Sequence, residues 1–168
     1  MTIRNVTMFS TSIGIDFQNG AALFVENCTI RDATFAIRFL PSAPGSQLVV
    51  TDTIIKNNGS APSTGGGILI QPSGAGSARV TLDRVTVANN TAGITVDGPT
   101  TLAVSNSTIT GNSLGNVVVK PTNGASVQAV FDRVNVAGSV FGIRADGSGQ
   151  ATGQIGRASC RERVFITV

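Results

Sequence analysis

Apolar and polar residues alternate along this chain in a word that repeats. VTLDRVTV (Val80–Val87) is apolar at its first, third, sixth and eighth positions. A polar Asn89-Asn90 corner follows, and Gly93 opens a second apolar run ending at Val96. The octet returns as LFVENCTI from Leu23, LAVSNSTI from Leu102 and AVFDRVNV from Ala129. In all, octets start at Met1, Leu23, Leu48, Val80, Leu102 and Ala129, at steps of 22, 25, 32, 22 and 27 residues. The second run opens 13 residues after its octet at Gly14, Ala36, Gly93 and Gly142, 14 after it at Asn116 and 19 after it at Gly67. The Leu48 unit therefore loops out extra residues between Lys56 and Gly67.

Each run is short, has a period of two and favours Val, Ile and Thr, which describes strands; no stretch carries the 3.6-residue period of a helix. A word recurring every 20–50 residues is the mark of a solenoid. Alternation sends octet positions one, three, six and eight inward. That predicts buried files: Ile3, Val25, Val50, Leu82, Val104 and Phe131, and then Met8, Ile30, Ile55, Val87, Ile109 and Val136. The second strand adds Ile15, Ile37, Ile68, Ile94, Val117 and Ile143, and beyond them Phe17, Phe39, Ile70, Val96, Val119 and Ala145. Like residues stacked one strand spacing apart, about 4.8 Å, make a parallel β-helix. The expected fold is thus all-β, a parallel solenoid of six rungs over residues 1–154, with no cap element at either end. Thr7, Thr29, Thr86 and Thr108 form an outward file interrupted by Ile54, and Pro41, Pro72 and Pro121 close strands where no ladder donor is needed.

The inward files, the Asn57-Asn58 and Asn89-Asn90 corners and the strand-opening glycines give residues 1 to 154 a specific likeness. They resemble a right-handed parallel β-helix repeat protein of the pectate-lyase-like superfamily. Right-handedness comes with that resemblance and with the chirality of parallel crossovers. The resemblance implies either a non-catalytic scaffold or carbohydrate-contacting segment of an extracellular or cell-envelope protein, or a fragment of a polysaccharide lyase, hydrolase or epimerase with its catalytic rungs elsewhere. A phage-type tail spike shares the fold.

Charge changes little. The 168 residues hold 12 basic and 9 acidic side chains, net +3. Three of the arginines and one glutamate lie in Ile155–Val168, so the repeat domain itself carries nine against eight, net +1. That balance, with no aromatic residues interleaved among cations, predicts no nucleic-acid partner. No apolar run reaches the length of a membrane span, and no signal-peptide pattern opens the chain. Met1 stands where other units carry Leu, Val or Ala with strand beginning at once, so further chain is expected upstream. Residues 155–168 break the repeat: IGRASCRERV (Ile155–Val164) resembles one reading frame of a common synthetic sequencing adapter and is expected to be a non-native tail. Cys28, at an inward octet position, reads as a small buried side chain, and Cys160 falls in the tail.

The chain has no histidine. That removes Ser-His-Asp and Cys-His nucleophilic machinery and most zinc sites, and with them the Gly-His-Gly signature of the polygalacturonase branch. No catalytic residue, metal ligand or cofactor site is predicted. Asp83 and Asp132 share an outward position two rungs apart, each followed by an arginine, and read as two ion-paired corners. The second-strand outward file runs Asp16, Arg38, Leu69, Thr95, Val118 and Arg144. Asp16 and Arg38, on adjacent rungs, either pair with each other or meet a sugar or uronate. Leu69 is apolar on a polar wall, beside the long Asn57–Gly66 insertion, and functional residues of solenoids gather at such insertions. Asp16, Arg38, Leu69 and Thr95 are therefore the candidate ligand-binding residues, with polysaccharide as the partner. Asn-x-Ser/Thr sequons stand at Asn5, Asn27, Asn58, Asn89 and Asn106, three of them products of the repeat itself.

Overall fold

A computed structural model describes residues 1–60, 65–121 and 124–146, with the backbone of Gln154–Ile155 and Val164–Thr167. Each coil of the solenoid contributes three strands. Coil 1 has β1 (Thr2–Arg4), β2 (Thr7–Phe9) and β3 (Ile13–Phe17), and coil 2 has β4 (Ala22–Glu26), β5 (Thr29–Arg31) and β6 (Phe35–Phe39). Coil 3 has β7 (Ser46–Thr51), β8 (Ile54–Lys56) and β9 (Gly66–Ile70); coil 4 has β10 (Ala78–Asp83), β11 (Thr86–Ala88) and β12 (Ala92–Val96). Coil 5 has β13 (Thr100–Ser105), β14 (Thr108–Thr110) and β15 (Gly115–Val119); coil 6 has β16 (Val127–Asp132), β17 (Asn135–Ala137) and β18 (Ile143–Ala145). First, second and third strands of successive coils stack into three parallel sheets. The repeat is thus an all-β solenoid of six turns.

Every predicted file is present in register. Ile3, Val25, Val50, Leu82, Val104 and Phe131 pair coil to coil without a slip. The files led by Met8, Ile15 and Phe17 do the same. Leu23, Val25, Ile30, Ile37, Phe39, Leu48 and Ile94 are wholly buried. Burying each such side chain is worth roughly 1.5–3 kcal/mol, so the files constitute the core. Phe17 and Phe39 stack within it, ring centroids 4.9 Å apart. Coil 1 has a neighbour on one side only, and there two expected inward residues stand open: Met1 is 69% and Val6 37% exposed.

Each of the first two corners in a coil contains a left-handed residue directly after the strand that precedes it. Between the first and second sheets these are Asn5, Asn27, Asp52, Arg84, Asn106 and Arg133; between the second and third, Ser10, Asp32, Asn57, Asn89, Gly111 and Gly138. The non-glycine members have φ between 48° and 58°, a region in which Asn and Asp cost least. Arg84 and Arg133 have no such dispensation and are held by their partners, described below.

Inside the second corner runs an amide ladder. Asn58, Asn90 and Asn112 are buried, and each side-chain amide donates to the Oδ1 of the next: Asn58 to Asn90 at 2.8 Å and Asn90 to Asn112 at 2.9 Å. Asn112 donates in turn to Asn116 at 2.8 Å, and Asn116 ends the series on the Ala137 carbonyl at 2.9 Å. The backbone of β20 (Val164–Thr167) lies antiparallel on β16, with β19 (Gln154–Ile155) outside it, so neither continues the parallel solenoid. The rest of the adapter-like segment, with Cys160, lies outside the described residues.

Candidate functional site

The third sheet turns its outward file toward solvent in the predicted order. Asp16 pairs in register with Arg38, Arg38 with Leu69 and Leu69 with Thr95, and Val118 and Arg144 continue the line. Strand alternation alone sets this, because Ile15 and Phe17, Ile37 and Phe39, and Ile68 and Ile70 flank the file and are buried beneath it.

Asp16 and Arg38 form an ion pair. The Nε of Arg38 lies 3.2 Å from Asp16 Oδ1, too misaligned for a hydrogen bond, and its Nη2 is 3.4 Å from Oδ2. Gln18 Nε2 donates to the same Oδ2 at 2.9 Å. The guanidinium also lies over the Phe35 ring, 5.6 Å from its centroid and inside the limit of about 6 Å for a cation–π contact. Arg38 is thus fixed from two sides and about three-quarters of its side chain is covered. A pair at the surface adds under about 1 kcal/mol to stability, so its fixed geometry matters more than its energy.

Leu69 and Thr95 come together with Phe35 around a shallow dent of about 30 Å³, floored by the Gly65–Gly67 backbone. Both are half-buried, so Leu69 is less exposed than the sequence pattern implies. The four candidate residues therefore form one continuous strip, polar at Asp16 and Arg38 and apolar from Phe35 to Leu69. Of the Asn57–Gly66 insertion, residues 61–64 lie outside the described residues.

One feature beside this strip escaped the sequence pattern. Where the third sheet turns back to the first, Gln18, Leu40, Gln71 and Asp97 follow their strands in successive coils, and from coil 2 on the backbone N–H bonds to the coil before: Leu40 to Phe17 O, Gln71 to Phe39 O, and Asp97 to Ile70 O. Two adjoining clefts open there, of about 390 and 480 Å³, and share Gln71 and Ser73. Gln71 Nε2 donates to Asp97 Oδ2 at 2.9 Å, and the Ser42 hydroxyl meets Asn19 Oδ1. The alternating pattern ends with each strand, and so gives no warning that these turns line up.

The Asp83 and Asp132 corners are occupied by arginine, as expected. Arg84 forms a forked pair with Asp52, at 2.6 and 2.9 Å, and touches Asp83 as well; Arg133 pairs with Asp132 at 3.2 Å and donates to Asn106 Oδ1 at 2.7 Å. Asp83 accepts from Asn106 Nδ2 and Ser105 Oγ, both at 2.7 Å, and these bonds hold its carboxyl below the usual carboxylate range. The hydrogen-bonded Arg84 guanidinium does the same to Asp52, and Asp52 raises Arg84 in return. A general acid needs the opposite shift. The bonds around Asp52 and Asp83 lock the left-handed turns at these corners.

The sequons divide by burial. Asn58 points into the amide ladder and is closed to modification, whereas Asn5, Asn27, Asn89 and Asn106 are on exposed corners, with Asn27 Nδ2 bonded to Asn5 Oδ1 at 2.8 Å. Among the described residues no helix is long and apolar enough to cross a membrane.

A family model described as a right handed beta helix region matches residues 1–114. The match runs from the first coil to the end of the corner before β15. No curated protein matches the chain, and no solved structure does.

Proposed function

The chain belongs to the right-handed beta helix family, and from that premise we propose that it is a non-catalytic solenoid scaffold whose third sheet presents a carbohydrate-contacting strip, in an extracellular or cell-envelope protein. The observation that carries this reading is the strip itself. Arg38 is immobilised between Asp16 and the Phe35 ring, in file with Leu69 and Thr95 around an apolar dent. Sugars offer both an apolar C–H face and a ring of hydroxyls, and a strip with fixed charge at one end and apolar surface at the other meets both. Fixing the side chains beforehand removes part of the ordering cost of binding.

The alternative reading, a fragment of a polysaccharide lyase, hydrolase or epimerase, places its catalytic rungs outside these residues. The test is a glycan array probed with the full chain and with Arg38→Ala. Binding that the substitution weakens supports the strip. Absence of binding to any glycan overturns the reading.

A further inference from the structure

We infer that the dent between Phe35 and Leu69 is a socket for the methyl of an acetyl group, so that the strip selects acetylated glycans. This rests on the carbohydrate-contacting reading and names the ligand class within it.

The socket is a missing side chain. Where the third-sheet strands open, Ile13 pairs in register with Phe35, Phe35 with Gly66, and Ala92 with Gly115. The line of side chains drops from a phenyl ring to nothing at Gly66, and Ala92 beside it adds only a methyl. Gly66 cannot fill the gap. Its φ is 146°, and a Cβ there would meet the Ala92 carbonyl oxygen at 2.3 Å. The hollow is therefore set by the backbone and stands ready before a ligand arrives.

Size and lining select a methyl group. The volume of about 30 Å³ is the share of one water molecule in the liquid, far less than a sugar ring occupies. Phe35, Leu69, Ala92 and Thr95 present mostly carbon to it. A water there finds few polar partners, and an apolar group gains by displacing it.

A donor stands at the rim. The Arg38 guanidinium lies over the same Phe35 ring that walls the socket. Asp16 engages its Nε and Nη2; among the described residues no acceptor bonds Nη1, and that nitrogen is not buried. An acetyl group carries its carbonyl oxygen on the carbon next to its methyl. The methyl enters the socket and the oxygen accepts from Arg38, a charge-assisted bond. A 6-deoxy sugar also brings a methyl, but with no carbonyl beside it. A free uronate engages Arg38 and leaves the socket empty.

The experiment measures binding of the full chain to two matched pairs. One is chitohexaose against cellohexaose, which differ only in the acetamido group, and the other is acetylated xylan before and after alkaline deacetylation. Leu69→Ala and Arg38→Ala are measured beside the parent, with an unchanged melting curve as the sign that each folds. The expected result is at least one pair whose acetylated member binds about tenfold or more tightly, the scale of one buried methyl and one charge-assisted hydrogen bond. Preference in the first pair alone assigns N-acetyl sugars, and in the second alone O-acetyl sugars. Leu69→Ala and Arg38→Ala should each bring the ratio to within about threefold. Equal binding within both pairs, preference for the unacetylated members, or a preference untouched by Leu69→Ala overturns the socket while leaving the carbohydrate-contacting reading in place. Binding to none of the four overturns the socket, and with an empty glycan array it overturns both.

Discussion

The side-chain amide of Asn58 donates to Oδ1 of Asn90 one coil away, at 2.8 Å, and that same oxygen accepts the backbone N–H of Asn58 at 2.9 Å. One atom thereby satisfies two buried donors. Asn90 repeats the arrangement on Asn112, and its Nδ2 also reaches Ile55 O at 3.3 Å. Asn90→Ala leaves the backbone N–H of Asn58 without an acceptor in a site closed to water, at roughly 1–3 kcal/mol, while the Asn58 side-chain amide keeps Ile30 O and Lys56 O. The expected loss is about 1–3 kcal/mol in urea denaturation. Asn90→Asp keeps the acceptor but loses the donor and buries a charge, so it is at least as damaging at neutral pH. A loss under about 0.5 kcal/mol for Asn90→Ala, the size of an ordinary surface change, would show that the ladder does not bear on stability.

The ladder also marks how far the fold can be read from the chain. The four buried files are legible because a strand has a period of two and a solenoid repeats it, so one correct octet places every other. Asn58 and Asn90 belong to Asn-Asn corners and stand out. Asn112 does not, because Gly111 has replaced the left-handed Asn before it, and Asn116 enters the ladder only through a one-residue insertion in coil 5. The candidate strip was legible for the same reason as the core, being its outward counterpart. The two clefts beside it were not. Their residues belong to turns of unequal length and sequence, and backbone bonds between coils, not any side-chain period, bring Gln18, Gln71 and Asp97 into line.

Acid should weaken the first corner. Asp52 and Asp83 titrate in the folded protein below the unfolded carboxylate value of about 3.9, through their bonds to Arg84 and to Asn106 and Ser105 respectively. A depressed folded pKa stabilises the fold at every pH above the unfolded value, and that contribution drains away as pH falls through the folded value. The melting temperature is therefore expected to be flat from about pH 7 to 5 and to fall below about pH 4. Asp83→Asn removes the titrating group, and its acid-induced fall should be shallower than the parent's. Parallel curves for the two proteins would count against this origin.

Gly93 and Gly142 open equivalent strands and should answer differently to the same substitution. A Cβ on Gly93 would be driven against the Asn116 backbone carbonyl oxygen and onto the side-chain amide of Asn112, a member of the ladder. Neither can retreat, since Asn112 and Asn116 are wholly buried. Gly93→Ala is expected to cost about 2–3 kcal/mol, as for overpacking elsewhere. At Gly142 the nearest atom is Val136 Cγ1 at 3.6 Å, an ordinary contact. Gly142→Ala is expected to be neutral or to stabilise by up to about 1 kcal/mol, through the lost freedom of the unfolded chain. Chemical denaturation of the two variants side by side tests the contrast, which equal losses would erase.

Of the three Asn-Gly dipeptides in this chain, Asn19-Gly20 and Asn58-Gly59 should age at different rates. Deamidation requires the glycine nitrogen to attack the preceding Asn Cγ, closing a succinimide and expelling ammonia; water then opens the ring to aspartate or isoaspartate. At Asn58-Gly59 the nucleophile is occupied, because Gly59 N–H donates to Ala33 O at 2.7 Å. The Asn58 amide is held by Ile30 O, Lys56 O and Asn90 Oδ1, and its own oxygen accepts from Ala33 N at 3.0 Å. Asn19-Gly20 is exposed, with the Ser42 hydroxyl on Asn19 Oδ1. Peptide mapping of folded protein kept at mildly alkaline pH is expected to find isoaspartate at position 19 and none at 58, whereas in denaturant both convert. Conversion at 58 in the folded protein would mean that coil 3 opens far more often than its bonding implies. Protein aged in denaturant should also refold poorly, because an aspartate at 58 brings a charge into a ladder built from neutral amides.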